Sequence, residues 1–331
     1  MTEQQIISGP VTLTGTSTGS ATPRTRTLSI ITPVRNMART VTVLLERLKT
    51  LQAPRGWDVE TIAAYTDSPD NTLAVLKEYG VQIVQSERIG PGAARNEAVK
   101  QSRGDLLYFV DADACPVGDD FLERLVQTAI RLGRFGAFGG PILIDPAQQR
   151  NPIALADHFA CWFNWSERRP SQRTTLFQPS VNLAVARKVF DAVGGFDEKL
   201  RVLEDFELQQ RLLRNKLPIY FVRELAVTHR ARSTLRRSWR HSWYWGGPFR
   251  SVLLSGMAPG KLRYPVGSRL FFANVPRLFF GRMRMVLRSA WRISRWQTCA
   301  SFAFLAATIW IGTLATIYGP DQPRPHKPAP V

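Results

Sequence analysis

Leu106-Leu-Tyr-Phe-Val-Asp111-Ala-Asp113 decides how the rest of the chain reads. Five apolar residues, bounded by Gly104-Asp105 and by Cys115-Pro116, predict a strand of Leu106–Val110 buried on both faces, as in a mostly parallel sheet. Open α/β sheets bind ligands beyond the carboxyl ends of their strands, so Asp111 and Asp113 stand at a ligand position. Two carboxylates one residue apart are hard oxygen donors suited to Mg²⁺ or Mn²⁺, which typically bridge protein carboxylates to substrate phosphates. The same pair also fits a strand end whose aspartates start the next turn, so neighbouring segments must decide between the two.

Outward from that strand the pattern alternates. Strands are predicted at Leu28–Thr32, Val59–Ala64 and Val81–Val84, and helices at Ala38–Leu51, Thr72–Tyr79, Ala93–Gln101 and Asp119–Leu132. Such alternation predicts βαβ units around a mostly parallel sheet. After Phe135 the pattern is irregular, with a helix at Glu204–Asn215 and an edge strand at Pro218–Val222.

The chain has 331 residues and a net charge of +18, unevenly placed. Residues 231–331 hold 16 of the 44 basic residues and one of the 26 acids (Asp321), which gives +15 there and leaves +3 for the first 230. Within that basic third, Cys299–Tyr318 is a run of twenty uncharged residues. At about 1.5 Å per residue it matches the ~30 Å hydrocarbon core of a bilayer, and Trp296 and Tyr318 flank it as interfacial aromatics do. A buried amphipathic helix is the competing reading. Arginines upstream of the run orient the preceding domain toward the cytoplasm. Arg269–Arg295 mixes arginines with Phe271, Phe272, Phe279, Phe280 and Trp291, the composition of an interfacial helix on an anionic membrane, broken near Pro276 and Gly281. A membrane partner is expected rather than nucleic acid, because the charge adjoins an apolar span. Cys115, Cys161 and Cys299 offer neither a disulfide framework nor zinc spacing, as expected in a reducing cytoplasm.

Six segments in order carry a resemblance: Leu28-Ser-Ile-Ile-Thr-Pro-Val-Arg-Asn36, Gly90-Pro-Gly-Ala-Ala-Arg-Asn96, Gly104–Asp113, Asn182-Leu-Ala-Val-Ala-Arg187, Val193-Gly-Gly-Phe-Asp197 and Leu203-Glu-Asp-Phe-Glu-Leu-Gln-Gln-Arg211. Over about residues 27–232 the chain resembles a family 2 glycosyltransferase with the GT-A fold, membrane-associated and of bacterial type. The resemblance implies an enzyme that moves a sugar from a nucleotide-diphosphate sugar, UDP by default with GDP and dTDP open, to a glycan or lipid-linked acceptor. It implies Mg²⁺ or Mn²⁺ held by Asp113 with Asp111, and His229 at the position of a further ligand. Asp205, beside Glu204, is implied as the base of an inverting transfer. Pro33, Arg35, Asn36, Asp67, Arg95 and Asp111 are implied on the nucleotide-sugar side. One departure stands out: Tyr65 and Thr66 fall where relatives carry a paired-acid turn for the base and ribose.

The expected organisation is a disordered 1–26, a GT-A domain at 27–232 and a basic aromatic membrane-surface region at 233–297. A transmembrane helix at 298–318 and a disordered 319–331 complete it. The expected place of work is the cell inner membrane, with the catalytic domain in the cytoplasm. A non-catalytic membrane scaffold that keeps the sugar-nucleotide fold is the alternative, motivated by Tyr65-Thr66. A nucleotidyltransferase would need a Gly-rich basic signature near residue 35, which the sequence lacks.

Overall fold

The computed structural model describes residues 25–87, 90–254 and 268–319. The two expected disordered ends fall almost wholly outside the described residues, as do Asp321, Arg324, Lys327 and residues 255–267 of the basic region.

In chain order the elements are β1 (Arg26–Val34), α1 (Ala38–Thr50), β2 (Trp57–Tyr65), α2 (Thr72–Glu78), β3 (Gln82–Gln85), α3 (Pro91–Lys100), β4 (Leu106–Val110) and β5 (Ala114–Pro116). Then come α4 (Phe121–Leu132), β6 (Ala137–Gly139), β7 (Ile142–Ile144), α5 (Pro152–Trp162), β8 (Gln172–Thr174), β9 (Asn182–Ala186), α6 (Arg187–Ala192) and α7 (Glu204–Arg214). The chain closes with β10 (Ile219–Phe221), β11 (Val227–His229), α8 (Leu235–Leu254), α9 (Asn274–Ile293) and α10 (Arg295–Tyr318). Two compact units result. The first takes the described residues up to Pro141, then Pro170–Leu200 and Glu204–Val227; the second takes Ile142–Arg169, Arg201–Leu203 and the described residues from Thr228 on.

The first unit is built on an eight-stranded mixed sheet in the order β3-β2-β1-β4-β9-β6-β10-β8. Strands β3, β2, β1 and β4 run parallel, with Leu28 opposite both Val59 and Leu106. Strand β9 is antiparallel to both β4 and β6. All five residues of β4 are buried, as its unbroken apolar run requires. Below the strand ends Phe109 meets Phe190 and Phe196 at ring distances of 5.5 and 5.1 Å, which fixes the floor on which the acidic residues stand. The expected edge strand at Pro218–Val222 is not at the edge. β10 lies between β6 and β8, and the true edge is the three-residue β8, whose Gln-Arg-Thr sequence carries no apolar signal.

The second unit is helical around Leu155, Phe159, Met283, Val286, Ala290, Leu305 and Ile309, contributed by α5, α9 and α10. Helix α9 runs unbroken through Gly281, contrary to the expected interruption. Pro276 sits in its first turn, where a missing N–H costs nothing. Gly281 costs about 1 kcal/mol relative to alanine, less than burial of Met283, Val286 and Ala290 supplies.

Helix α10 is the one helix among the described residues long and apolar enough to cross a bilayer, and half of its most apolar stretch is buried inside the protein. Its inward face sets small polar residues beside Leu305 and Ile309. Thr298, Ser301, Thr313 and Thr316 each turn a hydroxyl onto a carbonyl four residues back. These small residues let helices approach closely: a methyl on Gly246 of α8 would come within 2.3 Å of the Ala315 Cβ. Arg250 closes the C-terminus of α10 by donating to the carbonyls of Thr316, Ile317 and Gly319.

Candidate active site

Parallel strands deliver their C-termini to one edge of the first unit's sheet. Arg35-Asn36 therefore follows β1, Thr66-Asp67 follows β2 and Asp111 follows β4 at that edge. The backbone turns at once after β4, with the Ala114 N–H donating to the Asp111 carbonyl at 3.0 Å. Asp113 rides on that turn, half-buried. Because β9 is antiparallel, its start also lies at this edge, and Asn182 stands opposite Val110.

Helix α3 begins beside these ends. Gly90 opens it with φ of 148° and ψ of 143°, a conformation almost reserved for glycine, and Pro91 follows at the first helical position. Arg95, the fifth residue of the helix, is only 2% exposed. One terminal nitrogen donates to Asp111 Oδ1 at 2.6 Å and the other to Glu204 Oε1 at 2.8 Å. A single guanidinium thus ties the strand-end aspartate to the first acid of α7. Burial alone would lower the Arg95 pKa, but Asp111 and Glu204 outweigh it and hold the group charged. The direct ligand of Arg95 in this arrangement is protein carboxylate, whereas the sequence assigns it to the nucleotide.

Glu204 and Asp205 are adjacent, both buried, and both raised in pKa. Burial raises Glu204 first, the neighbouring Asp205 charge adds to it, and Arg95 opposes, leaving Glu204 at about 7. Burial likewise raises Asp205, against hydrogen bonds from the backbone N–H groups of Ser180 (2.9 Å) and Phe206 (2.7 Å). Burial of both acids and the charge of Asp205 beside Glu204 oppose ionisation of the two at once.

Several supporting residues went unseen in the sequence. Asn96 binds the Phe196 backbone both ways, receiving its N–H at 3.0 Å and donating to its carbonyl at 2.9 Å. That clamp fixes the Gly194-Gly195 turn against α3, and Gly195, with φ of 68°, accommodates it. Gln209 pairs with both backbone groups of Gln178 at 2.6 Å each, steadying the loop whose Ser180 holds Asp205. Arg211 does not reach the acidic pair. It pairs with Glu207 at 2.6 Å and donates to the Val193 and Gly195 carbonyls, so it organises the glycine turn.

The Tyr65 departure has a structural counterpart. The buried Tyr65 receives the Ser68 N–H on its hydroxyl at 3.1 Å and reaches Asp67 Oδ1 at 3.4 Å. The turn is also tied to the end of β1, since Asn36 and Met37 donate their N–H groups to the Ser68 and Thr72 hydroxyls at 2.9 and 3.0 Å. Pro33 and Arg35 are half-buried, while Asn36 and Asp67 are exposed. His229 belongs to the second unit, where it is buried with its ring 5.2 Å from Trp162.

The donor set at the end of β4 suits a hard cation. One oxygen of Asp111 is engaged by Arg95, its side chain is 34% exposed, and Asp113 supplies a further carboxylate beside it. A different group, Asp157, Cys161 and His241, brings its donor atoms within 4.8 Å of one another in the second unit. Asp157 Oδ2 accepts the Arg232 backbone N–H (3.1 Å) and guanidinium (3.4 Å), its buried Oδ1 has no hydrogen-bond partner among the described residues, and burial pushes the Cys161 thiol up to about 12.

Comparisons with known proteins bear on the family and the fold. The profile of the family described as "Glycosyl transferase family 2" matches residues 29–194, half of the chain. Glycosyltransferase AglE of Haloferax volcanii is 25% identical over 62% of this chain and 67% of its own length. Probable glycosyltransferase YdaM of Bacillus subtilis is 23% identical over 86% of this chain and 70% of its own. The Pre-mycofactocin glycosyltransferase of Mycobacterium tuberculosis is 25% identical, and this chain spans about half (49%) of it. Among solved structures, the mannosyltransferase PcManGT of Pyrobaculum calidifontis, in complex with GDP-Man and Mn²⁺, shares the GT-A fold with a TM-score of 0.55 at 15% identity, over 88% of this chain and 87% of that one. With the family's segments carried by one continuous sheet edge and its adjoining helices, the chain belongs to glycosyl transferase family 2 and is a glycosyltransferase.

Proposed function

We propose that this enzyme moves a sugar from a nucleotide-diphosphate sugar to a glycan or lipid-linked acceptor, with inversion. The carrying observation is the Arg95 bridge, which brings Asp111, the strand-end acid suited to a metal–diphosphate, into one hydrogen-bonded unit with Glu204 and its neighbour Asp205. In this reading Asp113 and Asp111 hold Mg²⁺ or Mn²⁺, which when bound neutralises the diphosphate as the glycosidic bond breaks. Asp205 accepts the acceptor hydroxyl's proton, and Glu204, with its pKa near 7, sets the charge state of the pair. Arg95 positions both acids instead of touching donor. Pro33, Arg35, Asn36 and Asp67 face the nucleotide, and Tyr65 replaces the missing acid of the turn by holding Asp67 and Ser68.

Support for the donor class comes from similar proteins: PcManGT was solved with GDP-Man and Mn²⁺, so a GDP-sugar is tested beside the UDP default. Support for an envelope acceptor comes from a poly(ribitol-phosphate) β-glucosyltransferase of Bacillus spizizenii, 32% identical over 34% of this chain and 20% of its own length. Attachment to the cytoplasmic face of the inner membrane is proposed with it, supported by the apolar α10 and the arginine-rich α9.

The test is to incubate membranes containing the full chain with labelled UDP- and GDP-sugars and Mn²⁺. Transfer to a lipid-extractable or polymeric product is expected from the wild type, and loss of at least a hundredfold from Asp113→Asn and from Asp205→Asn. Undiminished transfer by either variant would remove the assigned role.

A further inference from the structure

Nine of the eleven exposed large apolar side chains among the described residues lie between Trp243 and Tyr318, in the second unit. They include Phe280, Trp291, Trp296, Phe302 and Trp310, 42–67% exposed. Between Ser268 and Gly319 the sequence holds seven arginines and no acid. Beside the Ser294 break between α9 and α10 these two features meet in a groove of about 930 Å³. Leu287, Trp291 and Phe302 supply its apolar lining, and Arg288 and Arg292, one turn apart on α9, line it too. Neither of these two arginines is paired with a carboxylate among the described residues.

An apolar wall calls for hydrocarbon, and two adjacent guanidiniums call for a phosphate, which arginine binds in a planar, bidentate manner. One molecule class supplies both at once. We propose that the α9–α10 groove binds a single anionic phospholipid of the bilayer, its phosphate on Arg288 and Arg292 and its acyl chain along Leu287, Trp291 and Phe302. Volumes of 300–1,000 Å³ are the usual range for small-molecule sites, and about 930 Å³ holds a large part of one acyl chain beside a headgroup. The absence of any acid along the whole segment sets the sign of the headgroup, since a zwitterionic lipid would leave both arginines facing an ammonium as well. This inference deepens the membrane attachment proposed above and rests on it for the source of the lipid. A specifically held lipid would also fix α10 in one rotation, with the small Thr298–Ser301–Thr316 face inward and Phe302 and Trp310 outward.

The experiment uses the purified full chain in a neutral detergent, photolabelled with phosphatidylglycerol that carries a diazirine on its acyl chain, with the labelled peptides mapped by mass spectrometry. Label is expected on the peptide spanning residues 287–302, displaced by unlabelled phosphatidylglycerol and not by phosphatidylcholine. Each arginine near an anionic lipid contributes about fivefold in affinity, so Arg288→Glu with Arg292→Glu is expected to weaken displacement at least about 30-fold. The exposed pair Arg236→Glu with Arg237→Glu, the same change of charge elsewhere on the unit, is expected to leave it within about twofold. Cys299→Trp, which fills the groove at an exposed position and leaves the charge untouched, is expected to lower labelling as well, and it covers the case in which the double reversal fails to fold. Labelling that survives both groove variants, or that phosphatidylcholine displaces equally, overturns the proposal. Flotation of the wild type with phosphatidylglycerol vesicles reads the attachment separately. A chain that floats without groove labelling loses the groove and keeps the attachment, and one that labels without floating does the reverse.

Discussion

Replacing Arg95 by methionine tests the bridge through its dependence on pH. The substitution roughly keeps the volume and removes the guanidinium shared by Asp111 and Glu204. At the Asp111 arm, with a side chain 34% exposed, solvent screening limits the cost to about 0–1 kcal/mol at any pH above the carboxylate range. The Glu204 arm behaves differently, because its side chain is 4% exposed and its pKa is already about 7. Below pH 7 the group is largely protonated in the wild type, so loss of Arg95 removes little. Above pH 7 the wild-type carboxylate ionises against Arg95, while in Arg95→Met it holds its proton to higher pH. The variant's folded state then binds more protons than the wild type's, so its stability relative to wild type falls as pH rises, by about 1.4 kcal/mol per unit. From a penalty of at most about 1 kcal/mol at pH 6, the loss grows to about 3 kcal/mol at pH 9, the scale expected for an orphaned buried charge. Urea unfolding read by pulse proteolysis of first-unit peptides at pH 6, 7.5 and 9 measures this. Arg95→Met combined with Glu204→Gln is expected to show no such slope. A penalty for Arg95→Met that is flat in pH, or largest at pH 6, would refute the coupling.

Other expectations follow from the same contacts. Gly92→Ala places a methyl 3.0 Å from Glu204 Cγ and 3.2 Å from Phe196 Cβ, so overpacking should cost about 1–3 kcal/mol and lower transfer, read by thermal melting and initial rates. Gly246→Ala drives a methyl to 2.3 Å from Ala315 Cβ and should raise hydrogen exchange along α10 while leaving β4 protected. Transfer should fall as pH drops through about 7, where Glu204 takes up its proton. Glu204→Gln should abolish the step near 7 in the pH–rate profile, because the group that takes up the proton there is gone.

The front of the fold was legible because its signals are local. β4 matches its predicted bounds residue for residue, and the other early strands and helices differ only at their ends, where one residue of apolar pattern carries little information. Beyond Phe135 the strands are three to five residues long and pair across long sequence separations, so β8 left no mark and β10 read as an edge. Asp111, Glu204 and Asp205 were recognisable as types in a pattern, but what links them was not. Arg95 shares a helix face with Gly92 and Val99, and that apolar company was the available sign that its charge points inward to protein partners. Asn96, Gly195 and Gln209 act through backbone groups of distant segments, which periodicity does not register. Helix α10 met the length and composition of a span, yet the inward set of Thr298, Ser301, Thr313 and Thr316 also packs it as the core of a helical unit.

The most direct test of the central claim, that the end of β4 is a metal–diphosphate centre, is a titration of the full chain with Mn²⁺ followed by electron spin resonance, with and without UDP or GDP. The account predicts Mn²⁺ binding that tightens when a nucleoside diphosphate is present, and that Asp113→Asn weakens at least tenfold with the nucleotide present. Equal Mn²⁺ affinity in the wild type and Asp113→Asn, at every nucleotide concentration, would contradict it.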